Sequence, residues 1–316
     1  RAAFLLSWPG PCYIGSGEIT GNMKMKAGLA ALALLMLMTS DMYACTGIWL
    51  VSRDGSRVVA RTMDHDGAAV LWGYVISPRG HDFCSRTPDG ENGLRYNAVY
   101  GFVGIYADDE AFVVEGMNEA GLSAGLFRCA EHYDFDEYES SGSRRTLCSA
   151  QLVSWLLSQF STIDQIKDAL EHVDIVTLDD EDAVCWRIAE PNGKMSILEI
   201  IDGRPSFHDS WISLCDVYED PEAARADFIR TSAEMRPTGT DSVMQAFHIL
   251  NNFEILDKTR FVSATDQTAM KLYYRTAWNS NIRCLDLMDI DFRKVRYQSR
   301  PLDLVRQQPV EMLKVR

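Results

Sequence analysis

The sequence has few of the features that mark nucleic-acid-binding, membrane-embedded or metal-binding proteins. Its 31 lysines and arginines face 45 aspartates and glutamates, which gives a formal net charge of −14 at pH 7. Nucleic-acid binding is therefore not expected, because it requires a basic surface. After residue 44 no apolar run is long enough to cross a bilayer. No Cys-x-x-Cys pattern occurs and the six histidines are scattered, so neither a metal nor a cofactor is expected.

The chain divides into three segments. Residues 23–44 begin with Met23 and two lysines, continue with a short apolar run and end in a polar stretch with small residues. This is the pattern of a cleaved secretory signal, so we expect export to the periplasm or the extracellular space and no membrane contact after cleavage. Residues 1–22 are interpreted as an upstream extension without a structural role. No repeat or linker interrupts residues 45–316, which are expected to form one domain.

Cleavage after Ala44 would make Cys45 the mature N-terminal residue, with a thiol and a free α-amine together. A thiol is a good nucleophile as the thiolate and needs a base nearby. An α-amine has a pKa of about 7.7–8.0, close to the value of about 8.5 for a thiol, so it can accept the thiol proton. Two other interpretations stay open: a buried apolar residue at the start of a strand, or the lipid-modified cysteine of a lipoprotein. Tyr43 is bulkier than a lipoprotein signal prefers, and acylation would remove the base.

A β-hairpin is predicted directly after Cys45. Two apolar-rich strand candidates flank a turn signal at residues 53–55, Arg-Asp-Gly. The hairpin would return Arg61 to Cys45, where a guanidinium favours the thiolate. Asp64, just past the second strand, could accept a hydrogen bond from the terminal ammonium. The simpler interpretation of Arg61 and Asp64 is an ion pair at the surface.

Cys45-Thr46, followed by Arg61 and Asp64 after 16 and 19 residues, resembles the opening of the choloylglycine hydrolase and penicillin V acylase family. Further similar strings follow in order at 77–80, 117–126, 185–189, 247–251 and 272–276. Members of this family are N-terminal-nucleophile cysteine amidases with an α+β fold, a four-layer αββα sandwich. The resemblance implies that fold here, and a small-molecule amide with an apolar acyl group as substrate, of the bile-salt, penicillin V or acyl-homoserine-lactone type.

The pattern of apolar residues agrees with such a fold. Blocks of strand-like residues alternate with predicted helices at 146–159, 162–170, 220–233 and 240–250. Thr162 and Gln165 are expected to form a capping box at the start of the second helix. Alternating strand blocks and helix pairs fit two packed sheets covered by helices.

The resemblance also implies a mechanism. The Cys45 sulfur attacks the amide carbonyl, the α-amine transfers the thiol proton to the leaving amine, and water hydrolyses the resulting thioester. The backbone N–H of Phe127 would donate to the oxyanion. Its aromatic side chain stands where bile-salt hydrolases usually have Asn, and is more similar to the penicillin V acylases. Trp72, Phe102, Phe127 and Tyr133 are candidate aromatic residues of the acyl pocket.

Two residues expected from the family are absent. The family has a Thr-Asn-x-Pro motif whose Asn side chain completes the oxyanion hole, but this chain has no Asn between Asn192 and Asn251. The later catalytic arginine of the family falls on Asp227, with Arg225 or Arg230 as the remaining candidates; we retain Arg230 as the site residue. A missing oxyanion donor typically lowers the rate about 10²–10³-fold. The alternative function is therefore a catalytically impaired relative that binds a ligand or partner. Assembly into a homo-oligomer is left open.

Overall fold

The computed structural model describes residues 45–65, 70–128, 135, 138, 145–178, 184–208, 213–214 and 240–303. The segments 1–22 and 23–44, Tyr133, Arg230 and the helix expected at 220–233 lie outside these residues. The described helices are α1 (Leu152–Gln159), α2 (Ile163–Leu170) and α3 (Thr240–Leu250). None of them is long and apolar enough to cross a membrane. The described strands are, in chain order, β1 (Gly47–Val51), β2 (Arg57–Asp64), β3 (Trp72–Ser77), β4 (Asp82–Arg86), β5 (Asn92–Asn97), β6 (Phe102–Ala107), β7 (Val113–Asn118), β8 (Ser123–Arg128), β9 (Thr146–Cys148), β10 (Asp174–Val176), β11 (Val184–Ala189), β12 (Met195–Ile201), β13 (Arg204–His208), β14 (Ser213–Leu214), β15 (Thr259–Asp266), β16 (Lys271–Thr276), β17 (Asn279–Asp286) and β18 (Gln298–Pro301).

Two antiparallel sheets form the centre of the domain. One has eight strands in the order β13-β12-β11-β8-β7-β6-β3-β18, and the other has six in the order β14-β1-β2-β15-β16-β17. Helices α1 and α2 share a core with the eight-stranded sheet, and α3 shares a core with the six-stranded sheet. A third core, which contains Cys45, joins side chains of both sheets. The order helix, sheet, sheet, helix confirms the expected αββα sandwich.

Strand β8 illustrates how this layering is encoded. Successive side chains of a strand point to opposite faces, so residues two apart share a face. Ala124 and Leu126 pack in the core beneath the helices, whereas Phe127 packs in the core between the sheets. Since both faces are covered, β7 and β11 are buried at every position. Such strands do not show the alternation of a half-exposed sheet.

The helix predicted over 146–159 is shorter than expected. Thr146–Cys148 forms β9, which pairs in parallel with β10, and Ser149–Gln151 is a 3₁₀ turn before α1 begins at Leu152. The reason is that a short apolar run fits a buried strand as well as a helical turn.

The capping interaction at α2 forms as expected. Thr162 Oγ1 accepts from the backbone N–H of Gln165 at 3.3 Å. The return bond is displaced by one residue, because Gln165 Oε1 accepts from the N–H of Ser161 at 3.0 Å rather than from Thr162.

Asn118 fastens the β7–β8 turn to the end of α1. Its Nδ2 donates to the carbonyls of Leu157 and Phe160 at 2.8 and 2.7 Å. Its Oδ1 accepts from the N–H groups of Ala120 and Leu122, both at 3.0 Å. The side chain is completely buried; its two donated bonds hold the end of α1 against the eight-stranded sheet, and its two accepted bonds close the turn.

Candidate active site

Cys45 lies two residues before β1, buried in the core between the two sheets. Only 5% of its surface is exposed. The predicted hairpin is present, with Gly47 opposite Arg61 in the β1–β2 register. The sulfur is 3.8 Å from Met63 Sδ and 3.9 Å from the backbone oxygen of Asp64. The thiol is therefore held at the C-terminal end of β2, near both residues predicted to assist it.

Arg61 is fully buried and its guanidinium lies across the end of the β7–β8 ladder. That ladder ends at the pair Glu115 and Gly125. One step beyond, Arg61 Nη1 donates to the carbonyl of Val114 at 3.3 Å and to the carbonyl of Leu126. The guanidinium replaces the missing ladder bonds, and so is fixed by backbone groups of the opposite sheet.

Met63 contacts both the Arg61 guanidinium and the Cys45 thiol. Its sulfur is 3.7 Å from Arg61 Nη2 and 3.8 Å from the Cys45 sulfur. Among the contacts of the two side chains, this shared one to Met63 connects Arg61 with Cys45, and the effect of the Arg61 charge on the thiol stays a prediction. The surface ion-pair interpretation is wrong, since Arg61 is fully buried and Asp64 is only 5% exposed.

Asp64 is held by two threonine hydroxyls. Thr62 Oγ1 donates to Asp64 Oδ2 at 3.1 Å and also accepts from the N–H of Thr46 at 2.9 Å. Thr259 donates its hydroxyl to Asp64 Oδ1. The carboxylate is thus linked through one hydroxyl to the residue that follows Cys45, which is a suitable place for orienting a terminal ammonium.

A second carboxylate, Glu254, belongs to the same neighbourhood. Burial raises its pKa, the ion pair with Arg275 lowers it, and the negative charge of Asp64 raises it further. The pKa of Glu254 is raised overall, with burial as the largest cause, so Asp64 has a second carboxyl group within electrostatic range.

A buried charge network joins the two sheets beside this site. Arg187 Nη2 on β11 donates to Glu115 Oε1 on β7 at 2.5 Å and lies 3.2 Å from the hydroxyl of Ser123. The other carboxylate oxygen of Glu115 lies 3.9 Å from Arg61 Nη1. All three charged side chains are at most 2% exposed. Two guanidinium groups and one carboxylate leave the network with one net positive charge in an apolar surrounding.

The candidate aromatic residues separate into two groups. The ring of Phe127 stacks on the Arg61 guanidinium at 4.0 Å from the ring centroid. Trp72 is partly buried at the edge of the same core, with its ring 5.5 Å from that of Phe261. Phe102 instead packs in the core beneath the helices, which excludes it from a pocket at Cys45. Phe127 is opposite Cys185 in the β8–β11 register, and its role as an oxyanion donor stays a prediction.

The other described cysteines differ from Cys45 in their surroundings. Cys185 is disulfide-bonded, and Cys84, Cys148 and Cys284 are free. Burial raises the pKa of the Cys148 thiol, and burial also raises that of Cys284. Both thiols are therefore poor nucleophiles near neutral pH.

Sequence reasoning missed Met63, Thr259, Glu115 and Arg187. The sequence does contain a signal for Glu115 and Arg187, because each is a charged residue inside a mostly apolar strand. A buried charge requires a partner, so two such strands point to an internal ion pair. Nothing in the sequence indicated which strands would be neighbours.

The four-layer sandwich, with a cysteine just before the first strand, has the fold of the N-terminal-nucleophile hydrolases. A family model described as linear amide C–N hydrolases, choloylglycine hydrolase family, matches residues 45–211, more than half of the chain. The chain belongs to this family.

Three curated relatives are bile salt hydrolase/transferases. The protein from Clostridium perfringens is 25% identical over 160 residues, 49% of this chain and 47% of its own length. The protein from Bifidobacterium longum is 24% identical, covering 52% of both chains. The protein from Lactiplantibacillus plantarum is 21% identical over 60% of this chain and 78% of its own length. In two of the three, the match spans about half of the relative.

Solved structures support the fold over a longer stretch. Penicillin V acylase from Agrobacterium tumefaciens superposes with a TM-score of 0.67 at 19% identity, covering 83% of this chain and 92% of that chain. A variant of conjugated bile acid hydrolase from Clostridium perfringens superposes with a TM-score of 0.65 at 15% identity, covering 85% of this chain and all of the other.

Proposed function

We propose that this protein is an exported hydrolase of linear amides that uses Cys45 as an N-terminal nucleophile. The observation that carries the proposal is the position of Cys45 just before β1, with Arg61 and Asp64 on the neighbouring strand and Phe127 in the same core. Family membership supports amide hydrolysis as the reaction.

In the proposed reaction the α-amine of Cys45 takes the thiol proton as the sulfur attacks the amide carbonyl. The C–N bond then breaks, the amine returns the proton to the leaving nitrogen, and a thioester remains. Water attacks the thioester, releases the acid and restores the thiol. The charge of Arg61 stabilises the thiolate, Asp64 orients the ammonium, and the backbone N–H of Phe127 donates to the oxyanion.

The substrate class in this proposal is a small amide with an apolar acyl group, such as a bile-salt, penicillin V or acyl-homoserine-lactone amide. The apolar core around Cys45 and the partly buried indole of Trp72 support an apolar acyl group. Export is supported by the signal-like pattern of 23–44 and by the disulfide at Cys185, since disulfides persist in oxidising compartments.

The second candidate function is a family member with impaired catalysis that binds a ligand or partner. The absence of Asn between Asn192 and Asn251, with Asp227 in place of the expected arginine, favours this alternative. Without the second oxyanion donor the remaining Phe127 amide would stabilise the intermediate alone, at a loss of about 10²–10³ in rate.

One set of measurements tests the proposal. Intact-mass and N-terminal sequencing of the exported protein should begin at Cys45. Turnover of bile-salt, penicillin V and acyl-homoserine-lactone amides should disappear in Cys45→Ala and Cys45→Ser. Cys148→Ala should keep wild-type rates, because Cys148 lies on β9, outside the two central sheets and outside the core that contains Cys45. The mechanism would be contradicted by a different N-terminus, by a lipid on Cys45, or by Cys45 variants that hydrolyse the amides as fast as the wild type. Binding of these amides without turnover would favour the second candidate.

A further inference from the structure

In the charge network of Arg61, Glu115 and Arg187, several buried polar atoms make no hydrogen bond, which is unexpected if the network only stabilises the fold. Nε and Nη1 of Arg187 are buried without hydrogen-bond partners, and so is Glu115 Oε2. Buried charges that lack full pairing destabilise a fold, so packing alone does not account for the arginine.

Glu115 is closer to Arg187 than to Arg61. The separations are 2.5 Å to Arg187 Nη2 and 3.9 Å to Arg61 Nη1. The carboxylate therefore interacts more strongly with Arg187 than with Arg61, and the two arginines together exceed it by one positive charge. Arg61 Nη2 and the Cys45 sulfur both contact the same atom, Met63 Sδ, at 3.7 and 3.8 Å.

We propose that Arg187 offsets the negative charge of Glu115, so that the buried network keeps a net positive charge beside the Cys45 sulfur. Arg187 and Glu115 are then positioning residues that act through Arg61. This inference rests on the proposed role of Cys45 as the nucleophile, but not on turnover.

The sign of the prediction follows from counting charges. The wild-type network carries +1, Arg187→Met carries 0, Glu115→Gln carries +2, and the double variant carries +1 again. A lower network charge disfavours the thiolate, so the pH at which Cys45 becomes reactive should rise in Arg187→Met and fall in Glu115→Gln. Removing one charge at about 10 Å with an effective dielectric of about 20 corresponds to about one pH unit.

Other titratable groups face Cys45 and are the same in every variant, so their effects cancel. They are the Cys45 α-amine, Asp64 at the end of β2, His65 directly after it, Tyr74 on β3, Tyr274 on β16, and Glu254, which interacts electrostatically with Asp64.

The experiment measures the rate of alkylation of Cys45 by iodoacetamide from pH 5 to 10, by mass spectrometry of the peptide that contains Cys45. The free thiols Cys84, Cys148 and Cys284 are resolved as separate peptides. Arg79→Met is the matched control, because it removes an arginine from an exposed ion pair with Glu119. The pH midpoint should rise about one unit in Arg187→Met, fall in Glu115→Gln, and return to the wild-type value in the double variant and in Arg187→Lys.

Equal midpoints in the wild type and Arg187→Met, or shifts of the same sign in Arg187→Met and Glu115→Gln, would overturn the inference. If Glu115→Gln fails to fold, the contrast between Arg187→Met and Arg187→Lys still decides, since a merely structural role would not move the midpoint. Absence of amide turnover together with the expected midpoints would refute the proposed function and leave this inference intact.

Discussion

Gly125 offers a direct test of how closely the buried ion pair is packed. It lies on β8, opposite Glu115 on β7 and opposite Arg187 on β11. A Cβ at this position would lie 2.3 Å from Glu115 Oε2 and 3.2 Å from Arg187 Nη2. Gly125→Ala should therefore push the carboxylate away from both guanidinium groups.

Two effects determine the size of the change. Overpacking a core typically destabilises by about 1–3 kcal/mol, and breaking a buried ion pair by about 3–5 kcal/mol. We expect Gly125→Ala to lower the free energy of unfolding by about 3–5 kcal/mol, measured by urea denaturation. Gly104→Ala is the control, because its Cβ would clash with Cγ1 of Val113 at 2.5 Å and approach Glu115 only at its backbone oxygen, at 3.4 Å, so the variant should cost about 1–3 kcal/mol. Equal losses in the two variants would refute the close packing of the pair.

Three further predictions concern the surrounding fold. Burial lowers the pKa of His81, so the folded state resists protonation of this ring, and the protein loses stability as the pH falls from about 6.5 through the pKa of the folded state. His81→Phe should therefore lose less stability than the wild type between pH 7.5 and pH 5 in urea titrations. An equal loss in the two proteins would contradict this. Asn118→Ala leaves buried carbonyls and N–H groups unpaired and should lower the free energy of unfolding by about 2–4 kcal/mol, with a smaller effect for exposed Asn92→Ala. Thr162→Ala removes the N-cap of α2 and should cost about 1 kcal/mol, whereas Thr162→Ser should retain most of it.

The architecture could be predicted because its signals are local. The turn at 53–55 indicates the first hairpin, and the capping residues before α2 mark its start. Strand β15 was not expected, although it is buried between β2 and β16. It carries Thr259, Ser263, Thr265 and Asp266, all buried, and polar residues of this kind normally indicate an exposed segment.

The charge network could not be predicted in the same way. Glu115 and Arg187 are 72 residues apart and meet only because Gly125, on the strand between them, has no side chain to separate them. Strand neighbours and register are set by the packing of the whole sheet, and a shift of one residue would turn either charge to the helix side. The contacts of Met63 with Arg61 and with Cys45 are likewise a property of the packed core.

Thr259 and Thr265, near the two ends of β15, allow a final test. Replacing each by valine should change the free energy of unfolding differently. Thr259 donates to Asp64 and accepts from the N–H of Ile255 at 2.8 Å, so Thr259→Val leaves a buried carboxylate and an N–H without this partner. It should lower the free energy of unfolding by about 1–3 kcal/mol and, if Asp64 orients the terminal ammonium, also lower kcat. The buried hydroxyl of Thr265 has no partner, so Thr265→Val should leave stability unchanged or raise it by about 1 kcal/mol, with kcat unaffected. Both values come from urea denaturation of the paired variants. A loss of stability in Thr265→Val as large as that in Thr259→Val would mean that the hydroxyl contact to Asp64 contributes nothing specific, and would remove Thr259 from the site.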